Sequence, residues 1–286
     1  GWMNEKSTIL SSDDYGDNVA AVQALLKTHE GLEQDLSALH EKVKQSASRS
    51  SDLQKLYPDS ASRVTENEQE VSSGWTSLRE KADARQAKLD DSLELQLFLS
   101  SVRDVESWCN DVKTLMSSEK LGDDVATADT VLKRHGKRKD EVSARDKAFS
   151  DLDTAGQKMV DAKHFASDRV QEKMASLAET KKSLLELWSS RQKDFSDNMD
   201  LQTFYRDDEQ MHHWMNRQEI FLSNDDLGDS LESVDHLTES HRDFEKKLEA
   251  HASVMDKLEG TGQALVEKEH FASSSIQERV AKLQER

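Results

Sequence analysis

A gapless internal repeat of 106 residues constrains this chain more than any other feature. Trp2, Trp108 and Trp214 stand one period apart, as do Gly16, Gly122 and Gly228, and His29, His135 and His241. The surrounding words agree: DDYGD (13–17), EKLGD (119–123) and DDLGD (225–229), then LLKTHE (25–30), VLKRHG (131–136) and LTESHR (237–242). Later in the period, KHFASDRVQEK (163–173) answers EHFASSSIQER (269–279). A period of this length is too long for a two-helix solenoid unit and accommodates three long helices.

Apolar residues are spaced accordingly. Leu95, Phe98, Val102, Val105, Cys109, Val112 and Met116 alternate steps of three and four residues, which predicts the first helix of the middle copy. A second helix is read in the third copy from Val234, Leu237, His241, Phe244, Leu248, His251, Met255, Leu258, Gly262 and Leu265. A third follows from Val170, Met174, Leu177, Lys181, Leu184 and Trp188. Stripes of this kind pack as left-handed coiled coils. The acidic Gly-containing words stop one helix, and Asp17 or Asn18 can cap the next. In the later loop, Ser and Asp residues are candidate caps for the third helix.

Where no stop occurs is equally informative. Neither glycine nor proline interrupts Trp75 to Leu121 or Gln157 to Leu227. Helix three of one copy is therefore expected to run directly into helix one of the next. The predicted architecture is all-α: tandem antiparallel three-helix coiled-coil repeats joined by continuous linker helices, forming an elongated rod. The expected units are 1–88, truncated at the start of its first helix, 89–194, which is complete, and 195–286, truncated in its third helix. A second helix of about 35 residues, at 1.5 Å rise per residue, gives each repeat a span of roughly 50 Å. Only 35% of the 286 residues are hydrophobic while 34% are charged, which suits helices that each bury one stripe.

Charge and composition exclude several functions. A net charge of −18 opposes binding to nucleic acid or direct docking on anionic lipid. No apolar run approaches the roughly 20 residues that span a bilayer, and the first residues lack a signal-peptide core. The single cysteine, Cys109, cannot form an intrachain disulfide and fits a reducing compartment. It lies on the apolar stripe between Val105 and Val112 and reads as a buried thiol. His29, His135 and His241 recur on a core stripe with no second ligand at helical spacing, so they read as packing residues and no metal site is expected. His212 and His213 point to different faces of one helix and read as surface residues. Calcium loops are rejected, because EF-hands starting at Asp13 or Asp225 would carry Ala24 or His236 where glutamate is required. No phosphate loop or nucleophile elbow occurs, so neither an enzyme nor a cofactor is expected. The basic run Lys133, Arg134, Lys137, Arg138, Lys139 and Arg145 stands out in an acidic chain. Arg138 and Arg145 fall on the core stripe, and the middle copy is expected to be the weaker one for that reason.

At the tryptophans, the D-x-G-D turns and the basic-His pairs (Lys27 with His29, Arg134 with His135), the chain resembles the spectrin repeat family over its whole length. Wording such as SSDDYGDNVAAVQALLKTHEGLEQDL is most similar to central repeats of a non-erythroid α chain of that family. A second tryptophan expected in the third helix is met by Trp75 and Trp188, which depart from the 106-residue phase by one heptad. The resemblance implies a structural core of Trp2, Trp75, Trp108, Trp188, Trp214, His29, His135, His241, Phe98 and Cys109, with turns at Gly16, Gly122 and Gly228. It further implies an elastic spacer in an actin-crosslinking network at the cell cortex, pairing antiparallel with β-spectrin and meeting actin indirectly. A protein-docking repeat module, or the rod of a dystrophin-like or α-actinin-like crosslinker, is the alternative.

Overall fold

The computed structural model describes residues 2–286, and among them the regular structure is helical apart from connecting turns. The helices are α1 (Trp2–Leu10), α2 (Val19–Leu56), α3 (Ala61–Ser118), α4 (Val125–Ala144), α5 (Asp146–Asp161), α6 (Ser167–Leu222), α7 (Leu231–Glu267) and α8 (Ser273–Gln284), with a 3₁₀ turn at Pro58–Ser60. The uninterrupted stretches of sequence become α3 and α6, of 58 and 56 residues. Neither glycine nor proline interrupts them through the joints, Gly74 of α3 lying before Trp75, and each carries the apolar stripe of two successive repeats.

Two compact units can be described. The first comprises residues 1–110 and 146–181, and the second 111–145 and 182–286. In the first, Leu32 and Leu36 of α2 meet Trp75, Leu78 and Ala82 of α3 and Leu10 of α1, flanked by Met3, Leu39 and Val43. In the second, Leu201, Phe204 and Met211 of α6 meet Leu258 and Leu265 of α7 and Ile276, Val280 and Leu283 of α8. All seven residues of the stripe from Leu95 to Met116 are buried, Cys109 among them.

Helix starts follow local capping chemistry. Asn18 Oδ1 accepts from the Ala21 N–H (3.0 Å) at the head of α2, and Ser230 accepts from Ser233 at the head of α7. Asp124 forms a reciprocal capping box with Thr127, whose backbone N–H holds the Asp124 carboxyl below its usual range. Gly16 and Gly228 take left-handed backbone (φ +77° and +81°), which glycine adopts without a Cβ penalty. Gly122 is needed for a different reason: a Cβ there would lie 2.2 Å from the Ala128 nitrogen.

The middle copy departs from expectation at its basic positions. Its second helix is broken into α4 and α5 at Arg145, where the backbone N–H turns to the Val142 carbonyl (3.0 Å) in place of the regular i−4 bond. Arg145 is exposed and leaves the core stripe. Arg138 stays on the stripe and is buried, but its guanidinium pairs with the Glu119 carboxylate, which also takes Arg134 (2.9 Å). One guanidinium found an anion and the other left the interior; an unpaired buried charge is too costly to persist.

Two glycines of the second helix mark close helix packing. A Cβ on Gly262 would sit 2.6 Å from Val280 and 3.1 Å from Phe204, and one on Gly156 would sit 2.5 Å from Met174 and 3.2 Å from Phe98. Gly260, two residues away, has open space around it. Gly260→Ala should therefore stabilise the chain by up to about 1 kcal/mol through helix propensity. Gly262→Ala should destabilise it by about 1 kcal/mol net, because overpacking outweighs the same propensity gain. Urea unfolding of the two variants checks the opposite signs.

Candidate functional site: the inter-repeat junctions

With helices running through the joints, the chemistry that fixes one repeat against the next lies where loops meet α3 and α6. At the first joint α1 ends near Ser11, leaving carbonyls that have no helical donor. Arg85 of α3, buried to 8% exposure, directs its guanidinium to the Ser12 carbonyl and to the Asp14 carbonyl (3.0 Å), with Tyr15 stacked beside it at 5.3 Å. Two turns further on, Ser92 Oγ donates to the Tyr15 carbonyl (2.9 Å). From the other side, His164 Nε2 donates to the Asp91 carbonyl (3.0 Å) while its Nδ1 accepts from the Ala166 N–H (3.1 Å). That pair of bonds fixes the tautomer.

The second joint repeats the device one period later. Arg191 Nε donates to the Met116 carbonyl (3.2 Å), and its Nη2 to the Glu119 carbonyl. Asn198 Nδ2 donates to the Gly122 carbonyl (2.9 Å). His270 Nε2 donates to the Asp197 carbonyl (2.8 Å), and Nδ1 accepts from Ala272 (3.1 Å). Lys163 and Glu269 enter these loops in left-handed backbone (φ 56° and 54°). The Ser167 and Ser273 hydroxyls do not cap α6 and α8 as the sequence suggested; both donate back to the His carbonyl at 2.6 Å. The imidazole accepts the loop N–H instead.

The expected core residues divide by environment. Trp75, Phe98, Cys109, His29 and His135 are buried, whereas Trp108, Trp188 and Trp214 are half-buried. Trp188 and His135 form a reciprocal pair: the rings stack at 5.3 Å, Trp188 Nε1 donates to the His135 carbonyl (3.2 Å), and His135 Nε2 donates to the Trp188 carbonyl (2.9 Å). Trp214 stacks on His251 at 4.0 Å. His29 faces the equivalent Ala82 carbonyl, yet neither ring nitrogen reaches a hydrogen-bond partner.

Trp2 and His241 correct the sequence reading. Trp2 is 36% exposed at the head of α1, with the Lys6 ammonium 5.4 Å over its ring. His241 is exposed because α8 does not reach its level. Gln284, at the end of α8, bonds to Glu259 of α7 (2.9 Å), and the α7 turns before that point meet only α6 among the described residues. Val234 and Leu248 of the same stripe are exposed for the same reason.

Sequence reasoning missed Arg85, Arg191, His164 and His270, although all four obey the 106-residue phase. It also missed Asp208, which is fully buried in the second unit and bonded to Arg279 (2.6 Å), with His212 Nε2 at 3.5 Å from its other oxygen. Among the described residues, no three His, Cys, Asp or Glu side chains gather into a metal-binding group, and no helix is long and apolar enough to cross a membrane.

Comparison with known proteins agrees with this architecture. The spectrin repeat family profile matches residues 1–91, 93–197 and 199–286. The chain is 35% identical over 275 residues to the mouse erythrocytic spectrin alpha chain 1, covering 96% of this chain and 11% of that relative. It is 29% identical over 249 residues to a Drosophila spectrin beta chain, covering 87% of this chain and 11% of the relative. A solved four-repeat fragment of the human desmoplakin plakin domain has the same fold, with a TM-score of 0.60 at 15% identity over 92% of this chain and 56% of the fragment. The chain belongs to the spectrin repeat family. Its repeats are structural, non-enzymatic modules of the cytoskeletal kind, and the chain spans about a tenth of the length of the spectrins it matches.

Two predictions follow from the geometry. Arg85→Ala and Arg191→Ala should each cost about 1–3 kcal/mol in urea unfolding, from the loss of charge-assisted hydrogen bonds to the loop carbonyls. Lysine at either site should not restore the loss, since an ammonium cannot fork between two carbonyls as guanidinium does.

The histidines set a pH dependence. Burial pushes the pKa values of His29 and His135 below the ordinary 6.5, with Arg85 beside the first and Arg138 and Arg191 beside the second adding to the effect. The unfolded chain then binds protons that the folded chain refuses. Stability is fully present above pH 6.5 and falls as the pH drops below it. His135→Gln, which keeps a donor for the Trp188 carbonyl but does not titrate, should flatten the slope between pH 7 and 5 in thermal melts.

Proposed function

We propose that this chain is a load-bearing segment of a spectrin cytoskeleton, an elastic spacer in an actin-crosslinking network beneath the plasma membrane. In this reading residues 1–88, 89–194 and 195–286 act as successive spectrin repeats, and the segment pairs side by side and antiparallel with β-spectrin. The observation that carries it is the unbroken passage of α3 and α6 through both joints, each fastened by an arginine, buried at Arg85 and half-buried at Arg191, and by a histidine. A tether that must transmit tension needs joints that resist bending, and a helix satisfied on every side is one. Similarity to both alpha and beta spectrin chains supports spectrin-type assembly.

Sedimentation velocity of this chain mixed with recombinant β-spectrin repeats tests the pairing. A faster-sedimenting one-to-one complex at micromolar concentration is expected with the matching β segment and not with a β segment from the opposite end of the molecule. Independent sedimentation with every β segment would contradict lateral pairing.

A further inference from the structure

The two joints are built alike, yet they differ in one respect that packing does not explain. At the second, Gln202 Nε2 reaches Asn198 Oδ1 at 3.5 Å, and Asn198 in turn holds the loop carbonyl of Gly122. At the first, the position equivalent to Asn198 is Ser92, whose hydroxyl is used on Tyr15. Gln96, equivalent to Gln202, is only 6% exposed, and its side-chain amide has no hydrogen-bond partner among the described residues. Its amide nitrogen and oxygen are not fully enclosed and stay open to a ligand in the groove.

Gln96 lies on the floor of a groove of about 1000 Å³, beside Leu95 and between the Asp13–Asp17 loop and the Phe165 loop. That volume is at the upper end of ordinary ligand sites. Phe165 forms one wall and is 69% exposed, although the His164 device holds its loop rigidly. An aromatic ring presented on a fixed loop over a floor of mixed polar and apolar side chains is the kind of surface partners bury. The rim is acidic: Asp13, Asp14, Asp17 and Asp91 line the groove against Lys88 and Arg169. Lys88 is drawn over the Tyr15 ring at 5.4 Å, which leaves the carboxylates of Asp13 and Asp91 without an ion pair among the described residues.

We propose that this groove docks an extended basic segment of a partner protein. An amide on the floor can donate to a peptide carbonyl and accept from a peptide N–H, which fits main chain better than a small anion or a lipid tail. Phe165 and Leu95 take an apolar side chain of that segment, and Asp13 and Asp91 take its arginines or lysines. The surface is distinct from lateral pairing of whole repeats, so the two stand or fall separately.

The test is selection of a random twelve-residue phage-displayed peptide library on the full chain, followed by anisotropy titration of the enriched peptides at physiological salt. Enriched sequences should combine Arg or Lys with an apolar residue. Their affinity should fall at least tenfold in Phe165→Ser and in Asp91→Asn, rise in Arg169→Gln, and stay unchanged in Phe271→Ser at the second joint. Phe165 is exposed, so its variant should melt with the parent chain, and circular dichroism verifies that. No enrichment, enrichment of peptides without basic residues, or equal binding to Phe165→Ser would overturn the proposal. So would a self-associated parent chain that becomes monomeric in Phe165→Ser, which would make the groove a contact between two copies.

Discussion

The structure depends on how the chain disposes of its helix-end carbonyls at the joints. Each short loop leaves carbonyls that no helix amide can reach. Arg85 and Arg191 answer this with a planar fork of donors set into the continuous helix two turns before Ser92 and Asn198. The charge is buried without a contacting carboxylate at Arg85, and the negative end of a helix serves as its counterpart. Fork and carbonyls belong to one repeat, so each arginine pins the loop against the linking helix, and the bonds that reach across to the next repeat are those of Ser92 to Tyr15 and of Asn198 to Gly122. The His164 and His270 bridges tie the loop of the following repeat to the same linking helices.

Around these joints, the bulk of the stability comes from seams of ordinary coiled-coil packing. The stripe from Leu95 to Met116 stays buried across its whole length. Gly156 and Gly262 bring the second helix close enough for Phe98 and Phe204 to pack against its backbone. Where three helices run together the seam is closed, as at Leu258, Leu265, Ile276 and Val280. Where α7 meets only α6, the same heptad spacing leaves Val234, His241 and Leu248 in solvent. Position on a stripe is therefore necessary for burial but not sufficient; a third helix has to be alongside.

That distinction explains what could be read from the residues alone. Period, helix type and the two through-helices were legible, because spacing of apolar residues and absence of Gly and Pro are properties of the chain itself. Burial of His241 and Trp2 was not, since it depends on which neighbour lies opposite. The joint arginines were hidden for another reason: in a sequence with 34% charged residues, an arginine between polar neighbours reads as a solvated face. Only the recurrence of Arg85 at Arg191, and of His164 at His270, distinguishes them. Arg145 shows the converse. Its stripe position implied burial, but a helix can break for the cost of about one hydrogen bond, less than an unpaired guanidinium costs inside.

The central claim is that each joint is a cooperative part of the fold and not a hinge between independent repeats. Native-state hydrogen exchange of the backbone amides of residues 82–96 and 188–202 addresses it most directly. If the joints are locked, these amides exchange only through the large unfolding events that also release the amides around Leu78 and Leu184, and their protection falls with urea along the same steep slope. Exchange through small local openings, with protection far below that of the neighbouring cores and little dependence on urea, would contradict it.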